Sequence, residues 1–230
     1  MVGAAAAAAA VGAAVRWVGA AVVVFACASM IVGCSAPEPA EGTGSPEASA
    51  LAAHGTFAAV GDSITDADSA DFAAGDLGDA SWARYVVDDG FAFAGGWAEW
   101  AATTAMMADS VGPVDADVLV VLAGTNDVAF GIPFEDSAAN LDRIVEVVGI
   151  EEVVVVSIPP MDALPAGAEA YNERLDGLAT EQGWRFVDAS AGLRTADGRY
   201  GEGMSLDGLH PSAEGARVLG EAIATALREG

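Results

Sequence analysis

At 230 residues the chain is long enough for one domain of ordinary size with a substantial core. It carries 34 acidic residues against nine basic ones, all arginine, for a net charge of −25. That balance argues against nucleic-acid binding, where Lys and Arg neutralise phosphates, and against anionic substrates held by charge alone; its plain reading is a solvated acidic surface that aids solubility.

The N-terminal segment, residues 1–34, has one charge, Arg16, and no acid. The apolar run from Trp17 to Val32 is short for a spanning helix, which needs about 20 residues, and fits the core of a signal peptide. It ends in Ile31-Val32-Gly33-Cys34, which resembles a bacterial lipoprotein processing box. The resemblance implies that residues 1–33 are a signal peptide cleaved before Cys34, and that the Cys34 sulfur carries a diacylglycerol. The protein would then be secreted and anchored to the outer face of the cell membrane; two buried acyl chains hold far more durably than one. The alternative is an uncleaved anchor with an incidental cysteine. Residues 34–53, rich in Ala, Pro, Glu, Ser and Gly, read as a flexible tether. Cys27 would leave with the signal peptide, so the domain 54–230 would have no disulfide and no thiol chemistry.

The domain alternates between apolar runs and helical patterns. Thr56 to Val60 is a first short strand. Ser81 to Val87 has Trp82 and Tyr85 on one helical face, and Phe91 to Ala94 is a further strand candidate. Val118 to Leu122 and Val153 to Val156 are continuous apolar runs, the habit of strands buried on both faces of a parallel sheet. Between them, Phe134 to Val148 repeats Leu141, Ile144, Val145 and Val148 at helical spacing. Ala166 to Glu181 predicts a helix, Arg185 to Val187 a short strand, and Ser212 to Leu227 a last helix with Pro211 at its first turn. This order predicts a three-layer α/β/α fold with a central parallel sheet of about five strands. Ligands in such sheets bind outside the carboxyl ends of the strands.

Three polar motifs fall at or near those ends. Gly61-Asp62-Ser63-Ile64-Thr65 follows the first strand. A serine hydroxyl needs an adjacent base to act as a nucleophile, though a serine in such a turn also serves simply as a helix cap. The segment is not a G-x-S-x-G elbow, because Thr65 stands in place of the last glycine. The chain has two histidines: His54 at the tether margin and His210 in Asp207-Gly208-Leu209-His210. Asp207, three residues before His210, is close enough to orient its imidazole, or else is a turn former beside Gly208. Gly124-Thr125-Asn126-Asp127 ends the Val118–Leu122 strand, and Asn126 offers a side-chain N–H to a developing oxyanion, or else is a turn residue. Trp97, Trp100 and Met204 flank these motifs as candidates for the acyl site or the core. With His54 at the tether margin, the one histidine within the fold cannot make an H-E-x-x-H zinc site. Asp66, Asp68 and Asp71 lack the calcium-loop glycine and read as solvent-facing; no phosphate loop is present. The expectation is therefore no metal and no cofactor.

Together the motifs resemble the SGNH (GDSL-type) hydrolase family in residue type, order and spacing, over roughly Thr56 to Leu227. The resemblance implies the flavodoxin-like SGNH fold, a Ser63–His210–Asp207 triad, and an oxyanion hole made by the Ser63 N–H, a glycine N–H and the Asn126 side chain. The family's Gly-x-Thr appears here as Ala101-Ala102-Thr103, so Ala101 occupies the glycine slot: its N–H remains, but a methyl is added near the substrate. Gly95 and Gly96 lie close to that block. The reading is a serine esterase acting on small acyl groups of glycans or lipids. Its alternatives are an acyltransferase using the same residues and a catalytically idle glycan-binding lipoprotein.

Overall fold

The computed structural model describes residues 54–230; the expected signal peptide over 1–33, Cys34 and the expected tether over 34–53 lie outside the described residues. Five parallel strands form one sheet: β1 (Thr56–Gly61), β2 (Ala92–Ala98), β3 (Val118–Leu122), β4 (Val153–Val156) and β5 (Arg185–Val187). Their spatial order is β2-β1-β3-β4-β5, the flavodoxin-like order. β3 and β4 are buried at every position, which is why they read as unbroken apolar runs.

Alternate residues of each strand feed two separate cores. Ala58, Val60, Leu119, Val121, Val153 and Val155 pack on one face with helices α3 (Thr104–Ser110), α5 (Phe134–Val148) and α6 (Pro165–Gln182). Phe57, Ala59, Val118, Val120, Leu122, Val154 and Val156 pack on the other with α2 (Trp82–Asp88) and α7 (Ala213–Glu229). Two short helices, α1 (Ser63–Asp66) and α4 (Thr125–Phe130), open directly off the ends of β1 and β3.

The structure shifts several of the expected boundaries. The Phe91–Ala94 run becomes a strand that starts at Ala92 and continues to Ala98, with a register shift opposite Phe57/Ala58. Gly95 and Gly96 therefore belong to β2, not to the loop that follows. Pro211 lies before α7 rather than in its first turn: Ser212 is the N-cap, its hydroxyl accepting the Gly215 N–H, while Pro211 bridges to Ser205. Helices α1, α3 and α4 are too short to show a helical repeat in the sequence.

β1 is followed in sequence by β2 on one side and β3 lies on its other side, so the sheet reverses its winding between β1 and β3. Ser63 follows β1 and Asn126 follows β3, which places both at the switch point where such sheets bind ligands.

Candidate active site

Ser63 is the first residue of α1. Asp62 caps that helix, its Oδ1 accepting the Ile64 N–H at 3.0 Å. The cap fixes the turn that presents the serine, which is buried at 7% exposure. The Ser63 and His210 side chains meet at 3.0 Å between Oγ and Nε2. On the other ring nitrogen, Nδ1 stands 2.7 Å from Asp207 Oδ2. A carboxylate can only accept, so Nδ1 carries the proton and Nε2 is left to accept from the serine hydroxyl.

The Asp207–His210 loop is held from several sides. Asp207 Oδ1 accepts the backbone N–H of Leu209 at 2.9 Å and of His210 at 2.8 Å. Ser205 Oγ donates to the His210 carbonyl at 2.6 Å, and Tyr200 OH to the Leu209 carbonyl at 2.9 Å. The Asp162 N–H donates to the Gly208 carbonyl. Pro211 then restricts His210 to extended backbone. Burial alone would raise the Asp207 pKa, but the His210 ring and the two backbone N–H groups outweigh it and hold the carboxyl far below its ordinary value. Asp207 is thus a fixed anion against the imidazole.

The oxyanion candidates are Ser63, Ala101 and Asn126. Asn126 sits in the first turn of α4 and donates its Nδ2 to the Ala102 carbonyl at 2.9 Å, with a longer contact of 3.5 Å to Asp62 Oδ2. Gly124 makes that turn possible: its φ is +124°, and a Cβ there would stand 2.1 Å from the Tyr171 ring. Ala101 has φ +57°, the left-handed region that favours glycine, and it is exposed. The backbone conformation is thus the one a glycine slot requires, although the residue is alanine. Among the described residues, the N–H groups of Ser63 and Ala101 have no hydrogen-bond acceptor.

Of the flanking side chains, Trp97 and Met204 pack against the two cores. Trp100 does not. It is 47% exposed, its ring centroid 5.5 Å from that of His210, and its Nε1 donates to Asp66 Oδ2 at 2.8 Å. Asp66 is therefore not simply solvent-facing, whereas Asp68 and Asp71 are exposed. His54 is exposed, its ring beside that of Phe91.

Two buried acids escaped the sequence reading. Asp62 is fully buried, and desolvation pushes its pKa up to about 6 despite the opposing Ile64 N–H and the nearby His210. Asp127, 1% exposed, accepts from Thr104 and Ser137. Both sit inside the motifs, next to Ser63 and Asn126, and that adjacency was the available signal.

A cleft of about 370 Å³ lies beyond α6, lined by Ile158, Pro160, Phe186 and Arg194 among others. It contains none of Ser63, Asn126, Asp207 or His210, so the serine site lies outside that cleft.

The GDSL-like Lipase/Acylhydrolase family model matches residues 59–218. The chain belongs to that family. It is therefore a serine hydrolase of the ester-cleaving kind. No curated protein sequence matches it. Among solved structures it is similar to a GDSL-like lipase from Bacteroides thetaiotaomicron at 18% identity and TM-score 0.57, covering 76% of this chain and 88% of that one. It is similar to an acetylxylan esterase from Geobacillus stearothermophilus at 19% identity and TM-score 0.58, covering 75% and 94%. A lipolytic protein of the G-D-S-L family from Veillonella parvula aligns at 18% identity and TM-score 0.58, covering 74% and 96%. At these identities the three likenesses establish the shared fold.

Proposed function

We propose that this family member hydrolyses small acyl esters of glycans or lipids through Ser63, His210 and Asp207. The observation that carries the reading is the hydrogen-bonded chain Ser63–His210–Asp207, at 3.0 and 2.7 Å. His210 Nε2 takes the serine proton as Oγ bonds to the acyl carbon. The oxyanion faces the N–H groups of Ser63 and Ala101 and the Asn126 carboxamide. The ester C–O bond then breaks and His210 gives its proton to the leaving alcohol. Water, deprotonated by His210, attacks the acyl-enzyme; the acyl–Oγ bond breaks, the carboxylic acid leaves and Ser63 regains its proton.

Hydrolysis is favoured over transfer to a sugar hydroxyl because solvent reaches the proposed base and its carboxylate. The side chains of His210 and Asp207 are 32% and 55% exposed, so water reaches the acyl-enzyme. The likeness to an acetylxylan esterase supports short acyl groups on a glycan. We further propose that residues 1–33 are removed, that Cys34 is diacylated, and that residues 34–53 tether the hydrolase domain 54–230 to the outer face of the cell membrane. The apolar run ending at Cys34 supports this. Assaying the purified full-length chain on 4-nitrophenyl acetate, beside Ser63→Ala, tests the hydrolase reading; equal rates in the two proteins would reject it. Mass spectrometry of the membrane fraction tests the anchor, and an N-terminus other than a lipidated Cys34 would reject that part.

A further inference from the structure

Trp100 is a large aromatic side chain left in water at the edge of the serine site, although the two cores have room for other aromatic rings such as Trp82 and Phe57. It is also held in place. Its indole N–H is fixed by Asp66 at 2.8 Å and its backbone N–H by the Glu99 carboxylate at 3.1 Å, while the ring leans on His210 at a 35° tilt. A held, exposed ring loses little entropy when a ligand settles on it. Asp66 lies in α1, the helix that begins with Ser63, so the ring's position is tied to that of the nucleophile.

The surroundings of the ring select the ligand. Asp66 and Glu99 place two carboxylates, acceptors only, beside an apolar aromatic surface. An anionic group is repelled there, and a long alkyl chain would cover the carboxylates without satisfying them. A neutral pyranose ring suits both features: its C–H face lies on the indole and its hydroxyls donate to the carboxylates. The position selects the side of the ester as well. His210 delivers the proton to the leaving alcohol, so a group stacked on the ring that contacts His210 is the alcohol, not the acyl group.

We propose that Trp100, flanked by Asp66 and Glu99, is the platform that binds a neutral sugar ring on the alcohol side of the scissile ester. This deepens the proposed esterase reading and rests on it for the assignment of sides. The ring determines substrate choice, and the small acyl group occupies the Ser63, Ala101 and Asn126 side.

The test uses the full-length chain with two acetate esters, a methyl pyranoside carrying one acetyl group with its other hydroxyls free and ethyl acetate, followed by pH-stat titration. Trp100→Ala should lose roughly tenfold more kcat/KM on the sugar ester than on ethyl acetate, with the difference in KM. Trp100→Phe should recover most of that difference, and Trp100→Leu should not. Equal losses on both esters would overturn the proposal, because Trp100 would then act only by supporting His210 or Ala101. Calorimetric titration with an unacetylated neutral oligosaccharide requires no turnover and separates the two readings. If the wild type cleaves neither ester but binds the oligosaccharide, and Trp100→Ala weakens that binding roughly tenfold, the esterase reading falls and the platform stands. If the wild type cleaves ethyl acetate but shows neither a sugar-ester difference nor oligosaccharide binding, the platform falls alone.

Discussion

Asp127 accepts the backbone N–H of Thr104 at 2.9 Å and the Thr104 hydroxyl at 2.6 Å, with both residues buried. Thr104 starts the helix that follows Ala101, and Asp127 is the residue after Asn126. This pair therefore locks the loop carrying one proposed oxyanion donor to the helix carrying another. Ser137 of α5 donates to the same carboxylate at 2.8 Å, which joins a third helix to the arrangement. Asp127→Ala would leave three buried donors without their acceptor. The expected cost is about 3–5 kcal/mol, read as a lowered urea midpoint. Asp127→Asn keeps the volume and one acceptor, and should cost less. A loss below about 1 kcal/mol for Asp127→Ala would contradict the locking role.

How far the sequence disclosed this arrangement follows from which physical signals are local. β3 and β4 were legible because a strand buried on both faces must be apolar throughout. The helix Phe134–Val148 was legible to the residue because Leu141, Ile144 and Val148 line its buried face. Ser63 and Asn126 were visible as polar motifs at strand ends, and Asp207 and His210 as one in the loop before the last helix. Asp62 and Asp127 were not, since an aspartate in a turn motif looks the same whether solvated or buried among hydroxyls and amides. Trp100 was equally opaque: nothing in its neighbours distinguishes a core tryptophan from one held in water by Asp66. The extension of β2 through Gly95 and Gly96 was missed because glycine carries no strand signal, whereas here the two lie in a paired strand opposite Ala58 and Ala59.

The triad geometry ranks the catalytic losses. Ser63→Ala and His210→Ala should each reduce kcat on the order of 10⁶-fold, because nucleophile and base act as one unit. Asp207→Asn should lose on the order of 10⁴-fold, since the ring can still reach Ser63 but in the wrong tautomer. Circular dichroism must show all three folded. If Asp207→Asn matched wild type in kcat, the 2.7 Å contact to His210 would have no part in the chemistry.

Asp62 and Asp207 make stability depend on pH in opposite directions. Burial raises the Asp62 pKa to about 6, from an ordinary value near 4 in the unfolded chain. Its contribution is therefore fully present below the unfolded value and is lost as pH rises through about 6, a change of about 3 kcal/mol. Asp207 is shifted downward, so its contribution is present above the unfolded value and is lost as the medium becomes more acidic. Asp62→Asn keeps an oxygen for the Ile64 N–H and removes the titration. Relative to wild type it should gain stability between pH 4 and pH 7, measured by urea unfolding at each pH. Parallel curves for the two proteins would mean that Asp62 carries no such shift.

Ala101 is the residue proposed to fill the family's glycine slot, and its backbone decides what an alanine costs there. A φ of +57° costs an L-residue about 1 kcal/mol, which glycine would not incur. Glycine in turn gives up about 0.5–1 kcal/mol through the greater freedom of the unfolded chain. The terms nearly cancel, so Ala101→Gly should leave stability within about 0.5 kcal/mol of wild type. With the N–H retained, its kcat/KM on an acetyl ester should change little. Loss of the methyl should raise the rate on an octanoyl ester, and the octanoyl-to-acetyl ratio reports that change. A gain on both esters of order 10²-fold would show instead that the alanine N–H is misaligned and that glycine restores an oxyanion donor. Unchanged rates and an unchanged ratio would place Ala101 away from the reacting carbonyl.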